Sequence, residues 1–132
     1  MLIGYYAAGF AVKRAAPKIS LGTYFLAAQF PDLLWPVLLL LGVEWVKVVS
    51  VDTVVTPLEF AYYPVSHSIL MDIVWALGIS IIYRLVTRSV QGAGWIFLAV
   101  ISHWFLDALV HRADLPLYPG GNIYIGCESG IL

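Results

Sequence analysis

The most informative segment of this chain is Gly94-Trp-Ile-Phe-Leu-Ala-Val-Ile-Ser-His103-Trp-Phe-Leu-Asp107-Ala-Leu-Val-His111-Arg112, an apolar run about as long as a membrane-spanning helix. Its second half carries His103, Asp107 and His111 at a constant spacing of four residues. Four residues of α-helix advance about 6 Å and drift about 40° around the axis, so the three side chains lie along one stripe. Ionisable residues inside a bilayer are costly and usually mark function. The stripe therefore predicts a functional site on this helix.

The composition predicts the class of protein. The chain has 132 residues, and we expect them to form a single domain, 1–132. It is 61% hydrophobic and 11% charged, with a mean hydropathy of +0.90, which is far from the balance of a soluble domain. We therefore expect an integral membrane protein in contact with the lipid bilayer. The net charge of −1 gives no reason to expect a nucleic-acid partner, and the single cysteine, Cys127, excludes a cysteine-rich zinc site.

Segment lengths predict an all-α integral membrane protein with about three transmembrane helices. A short N-terminal helix precedes them, because residues 2–12 are apolar but not long enough to cross a bilayer. Residues 19–43 are long enough, although Pro31 and Pro36 should kink or break that helix near Asp32.

Two further spans are predicted after a polar connection. Residues 44–65 carry several charges and are rich in β-branched residues, which predicts an extended loop or a small hairpin over one membrane face. Ser66 is then the expected N-cap of a helix at about 67–85. A short turn around Gly92 leads to the last helix, at about 94–111.

The basic residues predict the orientation in the membrane. Five of the seven would lie at one end of the predicted spans, namely Lys13, Arg14, Lys18, Arg84 and Arg88. The positive-inside rule places that end in the cytoplasm. His67, Asp107 and His111 then belong to the opposite end. We expect a multi-pass protein of the cell inner membrane with its site on the periplasmic side.

Separate regions of the chain can bring metal-type ligands together. A histidine and an aspartate four residues apart, such as His103 and Asp107, offer two ligands from one rigid helix. Mixed imidazole and carboxylate ligands suit zinc, manganese or iron better than calcium. We predict a divalent metal ion, with zinc as the first choice, bound by Asp32, His67, His103 and Asp107.

Catalytic roles are predicted for the two residues at the end of the stripe. His111 is about 12 Å from His103 along the helix axis, so one ion can hardly bind both. His111 would bind a second metal, orient a metal ligand, contact the substrate or transfer a proton. Arg112 would neutralise an anionic substrate. The alternative is a polar network without metal, in which the histidines are ordinary residues of the membrane interface.

A resemblance to a known family rests mainly on three segments, which are Ala27-Ala-Gln-Phe-Pro-Asp32-Leu-Leu-Trp-Pro36, Tyr63-Pro-Val-Ser-His67-Ser68 and Ser102-His103-Trp-Phe-Leu-Asp107-Ala-Leu-Val-His111. With shorter matches they cover most of residues 1–121. In content and order they resemble the bacterial membrane-bound metal-dependent hydrolases of the YdjM type. The resemblance implies metal-dependent hydrolysis. More distantly, the order of ligands is similar to the helical zinc-dependent phospholipase C and nuclease group, which implies phosphoester substrates, lipids among them.

The chain departs from the pattern of this family in two ways. The resemblance implies Gly-His near the start, where this sequence has Gly4-Tyr5, and it implies further helices after Leu132. We therefore expect one of two functions. The first is a membrane hydrolase acting on a phosphoester or lipid at the membrane surface. The second, favoured by these departures and by an expected exposed position of Asp72, is a non-catalytic accessory subunit of a larger membrane complex that kept the scaffold.

Overall fold

The computed structural model of the protein describes residues 2–48, 58–110 and 114–127. Its helices are α1 (Leu2–Ala15), α2 (Leu21–Ala28), α3 (Phe30–Leu40), α4 (Pro64–His67), α5 (Ile69–Thr87) and α6 (Val90–Val110). Its strands are β1 (Trp45–Val48), β2 (Leu58–Tyr62), β3 (Leu115–Pro116) and β4 (Tyr124–Ile125). The chain is mostly helical, as predicted, but two small antiparallel hairpins mean that it is not all-α.

Two helices in the described ranges, α5 and α6, are long and apolar enough to cross a membrane. Helices α2 and α3 meet that criterion only as a pair, and the pair is bent by 51°. Such a pair forms either one broken span or a re-entrant loop. The two long apolar helices fit a membrane protein, and the third span stays a prediction.

The bend between α2 and α3 lies where a proline prevents the helix from continuing. Gln29 caps α2, and Pro31 is the second residue of α3. A proline ring clashes with the carbonyl group four residues earlier, so an unbroken helix through Pro31 is disfavoured. Pro36, the second expected breaker, lies inside α3 instead. One proline therefore makes the bend, and Asp32 follows it directly in the first turn of α3.

Helix α5 begins two residues later than the sequence suggested. Its N-cap is Ser68, whose Oγ accepts a hydrogen bond of 3.3 Å from the Met71 N–H. Ser66, the expected N-cap, lies inside the separate short helix α4. At the other end, Arg88 closes α5 in the left-handed conformation (φ 56°), and α6 begins at Val90. Helices α5 and α6 thus form a tight helical hairpin.

Two apolar clusters hold these helices together. The first lies between α2, α5 and α6 and contains Tyr24, Ala76 and Val100. Small residues such as Ala76 permit close contact between the helix backbones. The second contains Tyr63 and Trp104, and it joins the C-terminal half of α6 to the chain before α4 and to β3. The ends of α4 and α6 are therefore fixed side by side.

Helix α1 packs against α2 and brings Tyr5 and Gly9 into the interior. A Cβ atom at Gly9 would lie 2.7 Å from the Phe25 ring, so only glycine allows this approach. Tyr6 and Phe10 contact the same ring edge-on, with ring centroids 4.7 and 5.4 Å away. As a result Tyr5 is 4% exposed. The predicted short helix at 2–12 is thus real but extends to Ala15.

The connection between α3 and α4 is the small hairpin β1–β2. Trp45 pairs with Tyr62 across it, and their rings stack at a centroid distance of 4.3 Å. Residues 49–57 lie outside the described part of the chain. Glu44, the residue before β1, is bonded to the start of α4 by the backbone N–H groups of Val65 and Ser66.

Helix α5 turns most of its surface away from the rest of the protein. Only 17% of its apolar span is buried. Its exposed large apolar side chains are Leu70, Ile73, Val74, Leu77, Ile81, Ile82, Leu85 and Val86. An apolar surface of this extent is unfavourable in water and suits a lipid environment.

Candidate metal centre

Three of the four predicted metal ligands converge on one point. One ligand atom each of Asp32, His67 and His103 lies within 4.8 Å of the other two. The Asp32 Oδ1 atom is 3.3 Å from the Nε2 of His67 and 3.5 Å from the Nε2 of His103. The residues come from α3, α4 and α6, so tertiary packing alone brings them together. Two imidazole nitrogens and a carboxylate oxygen at these distances can hold a metal ion.

Asp107, the fourth predicted ligand, contacts this group from the next turn of α6. Its Oδ2 atom is 3.3 Å from the Nε2 of His103, and its side chain is 3% exposed. Its Oδ1 atom accepts a hydrogen bond from the Tyr5 hydroxyl. Asp107 therefore lies beside the tight group of three and offers a second carboxylate to it.

The hydrogen bond at the far side of His103 determines which nitrogen faces the other ligands. Its Nδ1 lies 2.7 Å from the carbonyl oxygen of Ala28. A carbonyl oxygen only accepts, so Nδ1 carries the hydrogen and the Nε2 lone pair points toward Asp32 and Asp107. That Nε2 atom is buried and has no hydrogen-bond partner among the described residues.

This arrangement needs a positive charge. An imidazole lone pair facing two carboxylate oxygens is repulsive, and burial strengthens the repulsion. A second proton on the ring of His103 would relieve it, as would a metal ion. The first case is the polar network without metal, and the second is a metal centre.

His67 is oriented by side chains instead of by backbone. Its Nδ1 lies 2.7 Å from the Ser66 hydroxyl, which lies 2.8 Å from the Oε2 of Glu44. The same carboxylate accepts backbone N–H groups of Val65 and Ser66, each at 2.8 Å. Glu44 is 2% exposed. A carboxylate with this support is an outer-shell partner of the histidine.

Tyr5 covers the buried side of the centre. Its ring stacks on that of His103 with a centroid distance of 4.2 Å and an interplanar angle of 15°. Burial, and then the neighbouring charge of Asp107, raises the pKa of the Tyr5 hydroxyl far above its ordinary value. The hydroxyl therefore stays protonated and donates to Asp107. This is the position at which the resemblance implies a histidine.

The centre runs from the interior to the surface. The side chain of His103 is 1% exposed, that of His67 is 11% exposed, and that of Asp32 is 40% exposed. A small molecule would therefore approach from the Asp32 side. Tyr63 borders the same side with its ring edge-on to His67, and its hydroxyl donates to the Asp114 carbonyl at 3.0 Å.

The remaining predicted residues have different outcomes. His111 and Arg112, for which catalytic roles were predicted, lie outside the described residues. Asp72 was expected to be exposed, and this is wrong: it is 1% exposed on the face of α5 that packs inward. It is near enough to His103 and Asp107 to interact electrostatically with both.

Three residues of the centre were missed by sequence reasoning as contributors to it. Glu44 gave no local signal, because its contacts with α4 cross 21 and 22 positions of sequence. Ser66 adjoins a predicted ligand, but its pattern suggested an N-cap. In the sequence, Tyr5 differs from the histidine that the resemblance implies, and this difference is the only signal that points to its position.

Comparison with known proteins adds no further assignment, since no protein family, curated protein or solved structure matches this chain.

Proposed function

We propose that the protein is an integral membrane, metal-dependent hydrolase that acts on a phosphoester or lipid at the membrane surface. The observation that carries the proposal is the convergence of Asp32, His67 and His103 from three helices. The buried Nε2 of His103, which lacks a hydrogen-bond partner among the described residues, supports a cation at that point. Asp107 adds a carboxylate beside it.

The ligand types suit zinc first, with manganese and iron as alternatives. Asp32, His67, His103 and Asp107 would hold the ion. When bound, such an ion lowers the pKa of a coordinated water and polarises a phosphoryl or acyl oxygen. The exposed side of Asp32 supports catalysis as well as binding, because catalytic metal sites keep one open position.

The chain's own residues divide the remaining work. His103 and Asp107 are buried and fix the inner half of the centre. Asp32 and His67 form its outer half and would meet the substrate. Tyr5 closes the inner side against water and holds one oxygen of Asp107.

The position of the centre supports a lipidic substrate and a periplasmic location. The ring of His67, just before α5, is 5.6 Å from that of His103 in the C-terminal half of α6, so the centre lies toward one end of this hairpin. Arg84 and Arg88 lie at the other end. By the positive-inside rule, the basic end would face the cytoplasm of the inner membrane. A centre at that depth would reach headgroup bonds.

Metal content tests the proposal. The full chain, purified in detergent and supplied with zinc, manganese or iron, is expected to retain one ion per chain. His103→Ala should lose it. Ser102→Ala should keep it, because among the described residues the Ser102 hydroxyl bonds only to the Ala99 carbonyl, within α6. Wild-type protein without metal under all three conditions would contradict the proposal.

Activity requires a separate measurement. Vesicles of anionic phospholipid would be incubated with the metal-loaded protein, and released headgroup phosphate and fatty acid would be measured separately. We expect release of one of the two products, and we expect Asp32→Asn to abolish it. The product identifies whether a phosphoester or an acyl bond is cleaved.

A second function, that of a non-catalytic accessory subunit, is favoured by two observations. Tyr5 already satisfies one oxygen of Asp107, which leaves fewer free ligand atoms. Only 17% of the α5 span is buried, which leaves a wide apolar surface for other membrane subunits. One bound ion with no hydrolysis of either bond would favour this function, because the metal would then be structural.

A further inference from the structure

We propose that Glu44 and Ser66 are positioning residues that select the metal-binding form of His67. The functional consequence rests on the metal centre proposed above, but the hydrogen-bond chain itself does not. In this chain, the Glu44 carboxylate fixes the Ser66 hydroxyl, and the Ser66 hydroxyl fixes the ring of His67.

The first link is a buried carboxylate whose hydrogen-bond partners, among the described residues, lie in α4. Oε1 of Glu44 accepts the N–H groups of Val65 and Ser66, and Oε2 accepts the Ser66 hydroxyl, all at 2.8 Å. A carboxylate that is 2% exposed would be costly without such bonds. Together they tie the residue before β1 to α4.

The second link follows from counting hydrogens. The Ser66 hydroxyl has one hydrogen and two possible acceptors, the Glu44 carboxylate at 2.8 Å and the Tyr63 carbonyl at 3.3 Å. The charge-assisted bond to Glu44 is the stronger of the two, so the hydrogen goes to Glu44. The Ser66 oxygen then accepts from His67 Nδ1, 2.7 Å away. Nδ1 therefore carries the hydrogen, and the Nε2 lone pair faces Asp32 Oδ1.

The consequence is a choice between two tautomers of the His67 ring. With the hydrogen on Nδ1, Nε2 can bind a metal ion together with Asp32. With the hydrogen on Nε2, the ring would donate to Asp32 instead, at the present distance of 3.3 Å, and that bond would compete with the ion. Glu44 and Ser66 favour the first state, as the Ala28 carbonyl does for His103.

The neighbouring sequence provides a matched control. Ser66 and Ser68 flank His67, and both are 0% exposed. Ser68 donates nothing to His67 and instead caps α5. Each Ser→Ala variant thus deletes one buried hydroxyl beside the same histidine, but only Ser66→Ala breaks the proposed chain.

Cobalt binding to the full-length variants in detergent tests the metal-related part, because Co²⁺ bound by histidine absorbs visible light. We expect Ser66→Ala to weaken cobalt binding by about 10–100-fold, and Ser68→Ala to change it by less than about threefold. Equal effects of the two variants would overturn the proposal.

A third variant reverses the direction of the hydrogen bonds. In Glu44→Gln the amide oxygen can still accept from Val65 and Ser66, but the amide nitrogen donates to the Ser66 oxygen. The Ser66 hydrogen can then turn to His67 Nδ1, which would leave the ring hydrogen on Nε2. We expect Glu44→Gln to lower cobalt affinity as Ser66→Ala does.

Nitrogen-15 NMR of the imidazole rings in metal-free protein measures the selection directly. We expect the His67 hydrogen on Nδ1 in the wild type and in Ser68→Ala, and on Nε2 at least in part in Ser66→Ala and Glu44→Gln. An unchanged His67 in these last two variants would overturn the positioning role. Absence of cobalt binding in the wild type would instead contradict the proposed function, while the NMR result still decides the role of Glu44 and Ser66.

Discussion

The two histidines of the centre reach the same oxygen by different means. Nε2 of His103 and Nε2 of His67 lie 3.5 and 3.3 Å from Asp32 Oδ1. His103 is fully buried in α6 and is oriented by a backbone carbonyl, that of Ala28. His67 lies in the four-residue helix α4 and is oriented by Ser66, which in turn is held by Glu44.

The difference shows that helix packing builds one half of the centre and connecting segments build the other. Carbonyl groups in the last turn of a helix lack partners within that helix. Because Pro31 ends α2 early, the carbonyl of its last residue, Ala28, is available to His103. The same bend starts α3 and places Asp32. The ring of His67 is bonded instead to side chains among the described residues, those of Ser66 and Asp32.

The largest difference in the free energy of unfolding is expected between the alanine variants of the two histidines. Both His103→Ala and His67→Ala should lose the bound ion. In metal-free protein, His103→Ala should also lower the free energy of unfolding by about 2–5 kcal/mol, because it leaves a cavity in packed helices. His67→Ala should lower it by about 1 kcal/mol. Chemical denaturation in detergent with a chelator present measures both values.

Equal destabilisation by these two variants would break the comparison. It would mean that α4 is packed as firmly as α6, and that the two halves of the centre are alike. Ser102→Ala serves as the control in α6, because the Ser102 hydroxyl donates to the Ala99 carbonyl and not to a residue of the centre.

A smaller loss of stability is expected from a substitution at Tyr5. Tyr5→Phe keeps the ring that stacks on His103 but removes the hydrogen-bond donor of Asp107. A hydrogen bond to a charged group contributes about 1.5–3 kcal/mol, so the free energy of unfolding should fall by that amount. Denaturation of metal-free protein is again the measurement.

Tyr6→Phe is the matched control for the Tyr5 variant. Tyr6 is in the same helix and contacts Phe25, and the described residues offer its hydroxyl no hydrogen bond. Its replacement should change the free energy of unfolding by less than about 0.5 kcal/mol. If both variants behave alike, the Tyr5 hydroxyl does not support the inner half of the centre.

The smallest effect on stability and on cobalt affinity is expected from a substitution in the hairpin next to Glu44. Trp45→Ala removes the stacked pair with Tyr62, and such pairs contribute about 0.5–1.5 kcal/mol. Because Glu44 is held by its own bonds to α4, cobalt affinity should change far less than in Ser66→Ala. An equal loss of affinity would show that the hairpin, and not the bonds to α4, holds Glu44.

Much of the fold could be predicted from the sequence because helix periodicity and span length are local properties. The spacing of His103 and Asp107 predicted that both lie on one face of α6. In the structure, the Nε2 atom of His103 is 3.3 Å from the Oδ2 atom of Asp107. The start of α5 was predicted at the wrong serine, since Ser66 and Ser68 are equally good N-caps by residue type. The structure distinguishes them, because Ser66 lies inside α4 and Ser68 accepts the hydrogen bond from the Met71 N–H.

The sequence by itself determined a mostly helical, strongly apolar chain with two imidazoles and two carboxylates as candidate ligands. These follow from residue type and spacing, which every folded arrangement of the chain shares. Tertiary structure decided that Tyr5 covers Asp107, across 102 positions, and that Glu44 supports His67 through Ser66, across 22. It also decided which nitrogen of each histidine faces Asp32. That choice depends on the partner of the opposite nitrogen, and no spacing in the sequence specifies that partner.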